Sequence, residues 1–105
     1  MLPPTKQALP SGVQSMVLRL LRDGPPGGMY GLELVNASGG ALARGTIYVT
    51  LLRMQERGLV TVHTPTQDVH PGMPRPRYRI SALAQRVLAA AEAAEVALHS
   101  HLAQA

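Results

Sequence analysis

Hydrophobic residues recur along this chain with two different periods, and the order of those periods predicts its architecture. Val13, Met16, Val17, Leu20 and Leu21 fall at i, i+3, i+4, i+7 and i+8, which is one apolar stripe on a helix. Leu18 lies outside that stripe and is read as facing a second surface. Ser11, with Gln14 three residues on, has the capping-box arrangement at the start. Gly24 supplies a C-terminal cap, and Pro25-Pro26 prevent continuation. A short second helix is predicted over Met29 to Ala37, with Leu34 and Val35 toward the core, and Ser38-Gly39-Gly40 ends it. A third starts between Ala41 and Thr46 and runs to about Arg57, with Ile47, Leu51 and Met54 sharing a face and Gly58 as its stop.

After Gly58 the period changes to two. Val60 and Val62 alternate with Thr61 and His63 between Leu59 and Thr64. Alternation returns in Arg77-Tyr78-Arg79-Ile80, with Tyr78 and Ile80 inward and both arginines outward. Pro65, Pro71, Gly72, Pro74 and Pro76 lie between, so the pair reads as a hairpin with a long tip. Ser81 then caps an alanine-rich helix through about Leu102. Leu83, Val87, Ala91, Ala94, Leu98 and Leu102 form its narrow apolar seam. A helix of ~20 residues spans ~30 Å, more than three short helices and a hairpin require, so it is expected to pack against another chain.

The elements together predict an α+β, mostly α fold: a winged helix-turn-helix with a two-stranded wing and a long C-terminal dimerisation helix. Residues 1–10, with three prolines and no periodic pattern, read as a flexible arm. Residues 11–80 form the winged domain, and residues 81–105 form the association helix.

Composition sharpens this picture. At 105 residues the chain is one domain by length. Its only aromatics are Tyr30, Tyr48 and Tyr78, so the core must be aliphatic. Small domains bury a smaller fraction of their surface, which makes dimerisation a natural remedy. The formal charge is +4, and nine of the ten basic residues are arginine. Seven of those arginines lie between Arg44 and Arg86, against only Glu56 and Asp68, while beyond Arg86 the charged side chains are Glu92 and Glu95. A basic middle and a non-basic tail fit a phosphate-binding surface with a separate association element. A solvated basic surface is the plainer alternative.

Cysteine is absent, which excludes a disulfide framework and a thiolate zinc site. No apolar run approaches the ~18 residues of a membrane span, and the N-terminus has no signal-peptide pattern, so a cytoplasmic location without membrane association is expected.

The candidate chemistry is DNA recognition. Side chains near the start of a recognition helix reach base edges in the major groove, and here those are Arg44, Thr46, Tyr48 and Val49. Arginine pairs bidentately with guanine, and Thr46 or Val49 fits a thymine methyl. Tyr48 as a core residue, with Thr46 as a helix cap, is the competing assignment. Arg75, Arg77 and Arg79, spaced by two, would share one face of a strand and suit a run of phosphates. A charged edge strand kept from aggregating is the alternative there. Arg53 is assigned to phosphate contact. His99 and His101 are two apart on a helix and cannot chelate together, and His63 and His70 have only Asp68 nearby, so no metal or other cofactor is expected. No nucleophile, phosphate loop or carboxylate pair indicates an enzyme.

Three blocks carry a family resemblance: Met16 to Leu21 with Gly24-Pro25 and Tyr30-Gly31-Leu32-Glu33-Leu34; Gly45-Thr46-Ile47-Tyr48 with Leu51, Arg53, Met54 and Gly58-Leu59-Val60; and Arg75 to Ser81. In this order and spacing, over roughly Ser15 to Leu88, they resemble the PadR-type transcriptional regulators. The resemblance implies a dimeric winged-helix repressor on a palindromic operator, with the C-terminal helices and the first helix at the dimer interface; Leu18 is assigned there with the seam from Leu83 to Leu102. Some members release DNA on binding a small aromatic ligand. This chain has no tryptophan or phenylalanine to line such a site, so no effector is assigned. Ala84 stands where the family usually has glycine, Gln55 where it has an acid, and the second wing strand is a residue short, leaving its register near Arg77 open. The expected function is thus sequence-specific binding of double-stranded DNA by a homodimer. The alternatives are a winged-helix protein-interaction module that does not read DNA, and a non-specific DNA-packaging factor.

Overall fold

A computed structural model describes residues 10–64 and 75–103 of the chain. Three helices come first, α1 (Gly12–Asp23), α2 (Gly31–Ala37) and α3 (Ile47–Glu56). A hairpin of β1 (Val60–His63) and β2 (Arg77–Ile80) and a final helix, α4 (Ala82–Ala103), complete the order. The expected winged helix-turn-helix with a long last helix is therefore what the chain forms. The arm before Pro10 and the hairpin tip, with His70 and Asp68, lie outside the described residues.

Helix α1 starts as predicted in one half of its cap. The Ser11 hydroxyl accepts from the Gln14 amide at 3.2 Å. The other half of the box is not made, because Gln14 is buried and its side-chain oxygen accepts instead from the Arg57 guanidinium at the end of α3. The core face of α1 is Gln14, Val17, Leu18 and Leu21. This corrects the sequence assignment of Leu18, which has no exposed surface and belongs to the protomer's own core rather than to an intersubunit contact. Val13 is exposed and Met16 and Leu20 are half-buried, so the predicted stripe straddled the core edge.

Helix α2 is shorter at its front than expected. Met29 is not helical but bridges Tyr78 of β2 with two hydrogen bonds, Met29 N–H to Tyr78 C=O at 3.0 Å and the reverse at 2.8 Å. Tyr30 is the cap residue, and its amide donates to the Glu33 carboxylate at 2.8 Å. Leu34 is fully buried, and Val35 is partly buried against the core.

Ile47, Leu51 and Met54 of α3 are buried as their spacing required. Gly58 stops the helix with φ +74°, a left-handed conformation that costs other residues a steric penalty. The hairpin register is Val60 opposite Ile80, Thr61 opposite Arg79, Val62 opposite Tyr78 and His63 opposite Arg77, which resolves the position of Arg77. Val60 and Tyr78 are buried, while Val62, opposite Tyr78, is exposed.

Ser81 joins α3, the wing and α4. Its amide donates to Leu59 C=O at 3.0 Å and its hydroxyl to Gly58 C=O at 2.7 Å, while the same hydroxyl accepts from the Ala84 amide at 3.0 Å. Ala84 and Leu88 are the buried residues of α4. Ala84 has no exposed surface, so alanine there supplies both helix propensity and packing. Further along, Glu92 accepts from Arg19 at 3.4 Å and from Arg22, tying α4 to α1. From residue 93 to 103 every side chain is exposed.

Candidate nucleic-acid interface

Helix α3 presents its outward face through geometry set by its buried one. With Ile47, Leu51 and Met54 inward, Val49, Leu52, Arg53 and Glu56 are placed on the opposite side of the 3.6-residue repeat. Val49 is 51% exposed and Leu52 55% exposed, two neighbouring apolar side chains left in water. Arg44 and Thr46 are exposed in the turn before α3. No side chain caps the first amides of the helix, and its first turn carries no acid. The Thr46 hydroxyl donates instead to Ala43 C=O at 3.4 Å. The Ile47 amide donates to Ala43 C=O at 3.0 Å, and a helix start free of negative charge is favourable for an anion.

Tyr48 divides its surface between body and solvent. It is 50% exposed, yet its ring lies on the backbone of Gly31: a Cβ there would come within 2.7 Å of Tyr48 Cε1. Only glycine allows this approach, and Tyr48 is thereby held at the start of α2 rather than in the core.

The segment leading into β2 meets the same place. A cleft of about 140 Å³ is lined by Tyr30, Gly31, Leu32, Tyr48, Arg75 and Pro76, so the start of α3 and the start of β2 border one surface. Arg77 packs with its guanidinium 4.6 Å from the Tyr30 ring centroid, and its Nη2 donates to the Tyr30 hydroxyl at 2.8 Å. Arg75 lies 5.7 Å from the same ring. Arg79 turns to the wing root, where its Nε donates to Gly27 C=O at 3.2 Å. The three arginines are thus not equivalent positions in a row: Arg75 borders the start of α3, Arg77 is half-buried on Tyr30, and Arg79 sits over the α1–α2 loop. Nor is β2 a free edge at Tyr78, since Met29 pairs with it there.

Some of the basic excess serves structure. Arg57 holds Gln14, and Arg19 and Arg22 hold Glu92. Hydrogen bonds from Arg22 and then Arg19, opposed by partial desolvation, keep the Glu92 carboxyl below its usual range. Burial raises the Tyr78 phenol, with a smaller contribution from Tyr48. Among the described residues no group of three or more His, Asp or Glu side chains is placed to hold a metal ion, and no helix is long and apolar enough to cross a membrane.

Sequence reasoning missed two residues here. Leu52 falls off the core face by the same count that identified Val49, and its exposure makes it part of the candidate groove surface. Tyr30 gave no local signal, because its partner Arg77 is 47 residues away.

A three-helix unit whose last helix faces outward beside a basic hairpin defines a winged helix-turn-helix protein. Over 88% of its length the chain is similar to the X-ray structure of a PadR-like transcription factor from Bacteroides fragilis, with a TM-score of 0.69, 19% identity and 87% of that chain covered. It is similar over 89% of its length to a PadR family transcriptional regulator from Eggerthella lenta DSM 2243, with a TM-score of 0.64, 27% identity and 80% of that chain covered. The chain has the fold of the PadR-type regulators, as the sequence blocks implied. No protein-family model matches the sequence, and no curated protein matches it.

Proposed function

We propose that this protein is a sequence-specific DNA-binding transcriptional regulator, a dimeric repressor that occupies a palindromic operator. The observation that carries this reading is the shared surface of the start of α3 and the basic start of β2 around Tyr30 and Tyr48. The names of the similar structures, a transcription factor and a transcriptional regulator, point the same way, and the protein is not assigned a catalytic role.

In this reading α3 lies in the major groove. Arg44 reaches a guanine edge, Val49 with Leu52 faces thymine methyls, and Thr46 and Tyr48 position the helix on the backbone. Arg53 and Arg75 meet phosphates directly, with Arg77 beside them and Arg79 at the periphery. Dimerisation uses the seam of α4, where Leu83, Leu98 and Leu102 are exposed, Ala94 is exposed, and Val87 and Ala91 are half-buried. The half-buried Met16 and Leu20 on the outer side of α1 line an open cleft of about 490 Å³ that extends the apolar surface available to a second copy. A cytoplasmic location follows from this function.

The test is a fluorescence-anisotropy titration against DNA from the gene's own upstream region, beside a scrambled duplex of equal composition, at two salt concentrations. A preference of about a thousandfold or more is expected of a specific binder. Arg44→Ala should cost about 1–3 kcal/mol and relax specificity, whereas Arg75→Ala should weaken all sequences alike and flatten the salt dependence. Equal affinity for both duplexes would sink the reading in favour of a packaging role, and no binding to either would favour a protein-interaction module.

A further inference from the structure

Tyr30 connects the helix-turn-helix to the wing through contacts that neither element makes without it. Its backbone caps α2, and the next residue, Gly31, is the surface on which Tyr48 of α3 rests. Its side chain meets the arginines of the wing. The ring lies against the guanidinium of Arg77 at 4.6 Å and near that of Arg75 at 5.7 Å, and its hydroxyl accepts from Arg77 Nη2 at 2.8 Å. Among the described residues, the buried Arg77 Nε has no hydrogen-bond partner. An arginine left with an unsatisfied N–H gains by turning that group to water, so its observed orientation depends on what else holds it. The Tyr30 ring and hydroxyl do so, by cation–π attraction and a directed hydrogen bond.

We propose that Tyr30 is a positioning residue that fixes Arg75 and Arg77 relative to the recognition helix, so that one DNA backbone is met by both at once. The proposal rests on the DNA-binding reading. Its physical content is a continuous line of contact from Tyr48 through Gly31 and Tyr30 to the wing arginines. Next to that line, the Met29–Tyr78 bridge holds the backbone register.

The experiment compares wild type, Tyr30→Phe and Tyr30→Leu with two readouts. The first is NMR of arginine side-chain resonances in the free protein, where a ring beneath Arg77 shifts them upfield. The second is the slope of log K against log salt for operator DNA, with far-UV circular dichroism as the check on folding. Tyr30→Phe should keep the ring-current shifts and most of the slope. Tyr30→Leu should lose those shifts, weaken DNA binding about tenfold, and lower the slope by about one to two phosphate contacts. Adding Arg77→Ala to Tyr30→Leu should then weaken binding by less than Arg77→Ala does alone. Upfield shifts absent from the wild type, or a folded Tyr30→Leu protein with the wild-type slope, would overturn the proposal. Shifts that are present in wild type and lost in Tyr30→Leu, in a protein that binds no duplex, would instead remove the DNA-binding reading while supporting the tether.

Discussion

At the scale of single residues, Gly31 is the position where the site tolerates least. A methyl group there meets Cε1, Cζ and the hydroxyl of Tyr48 at 2.7 to 3.1 Å, so one of the two must yield. Tyr48 is half-exposed and able to swing outward, whereas the helix backbone is not. Gly31→Ala should therefore cost no more than the ~1–3 kcal/mol of an overpacked site, while displacing a side chain at the proposed DNA surface. The expected outcome is a modest fall in Tm with a larger fall in operator affinity; a variant that loses stability but binds DNA normally when folded would separate Tyr48 from recognition. Tyr48 also shows what local pattern cannot supply. Its place in the sequence left core and surface assignments both open, and the answer came from a glycine 17 positions earlier that no periodicity links to it.

Among elements, the junction of α1 with α4 carries a pH signature. The Glu92 carboxyl, held low chiefly by Arg22, stabilises the folded state while it is ionised. Because its folded pKa lies below the unfolded one, that contribution is fully present above the ordinary carboxylate range and disappears as pH falls through the lowered value. Chemical denaturation of wild type and Glu92→Gln should give curves that differ at neutral pH and converge in acid. Both partners are solvent-facing, so the difference should also shrink with salt; a gap independent of pH would point to packing instead. The elements themselves were largely legible in the sequence: α1, α3, both strands and α4 follow the periods of their apolar residues, and Gly58 ends α3 as expected. Leu18 was misplaced because α1 carries two overlapping apolar rows, and spacing alone does not say which of Leu18 and Met16 faces the core. Met29 was misplaced because its bridge to Tyr78 is a long-range pairing. The wing arginines were read as one row because strand alternation gives a face but not the partners met on it.

For the whole molecule, the decisive quantity is the surface left uncovered on α4. Val96, Leu98 and Leu102 are each more than 60% exposed, on a part of the helix with no buried residue of its own. Covering side chains of this size gains about 1.5–3 kcal/mol each, which is the scale needed to offset the entropy of association. Leu98→Glu combined with Leu102→Glu should convert the proposed dimer to a folded monomer in sedimentation equilibrium. Binding to a palindrome should then fall to that of a half-site. A wild-type protein that sediments as a monomer at operator-binding concentrations would remove the dimer from the functional reading.

The clasp at Ser81 would give the proposed dimer its mechanics. One side chain grips the carbonyl that follows α3 and the amide of the first turn of α4, so the two helices meet at a joint with little slack. Helix α4, with 22 residues, is a rod of about 33 Å. In a pair joined along such rods, a few degrees of scissoring would be carried through the joint and would alter the distance between the two reading heads. The pitch of DNA is fixed, so the same joint that orients each head would also make the pair a gauge, tuned to one separation of half-sites and intolerant of an inserted base pair.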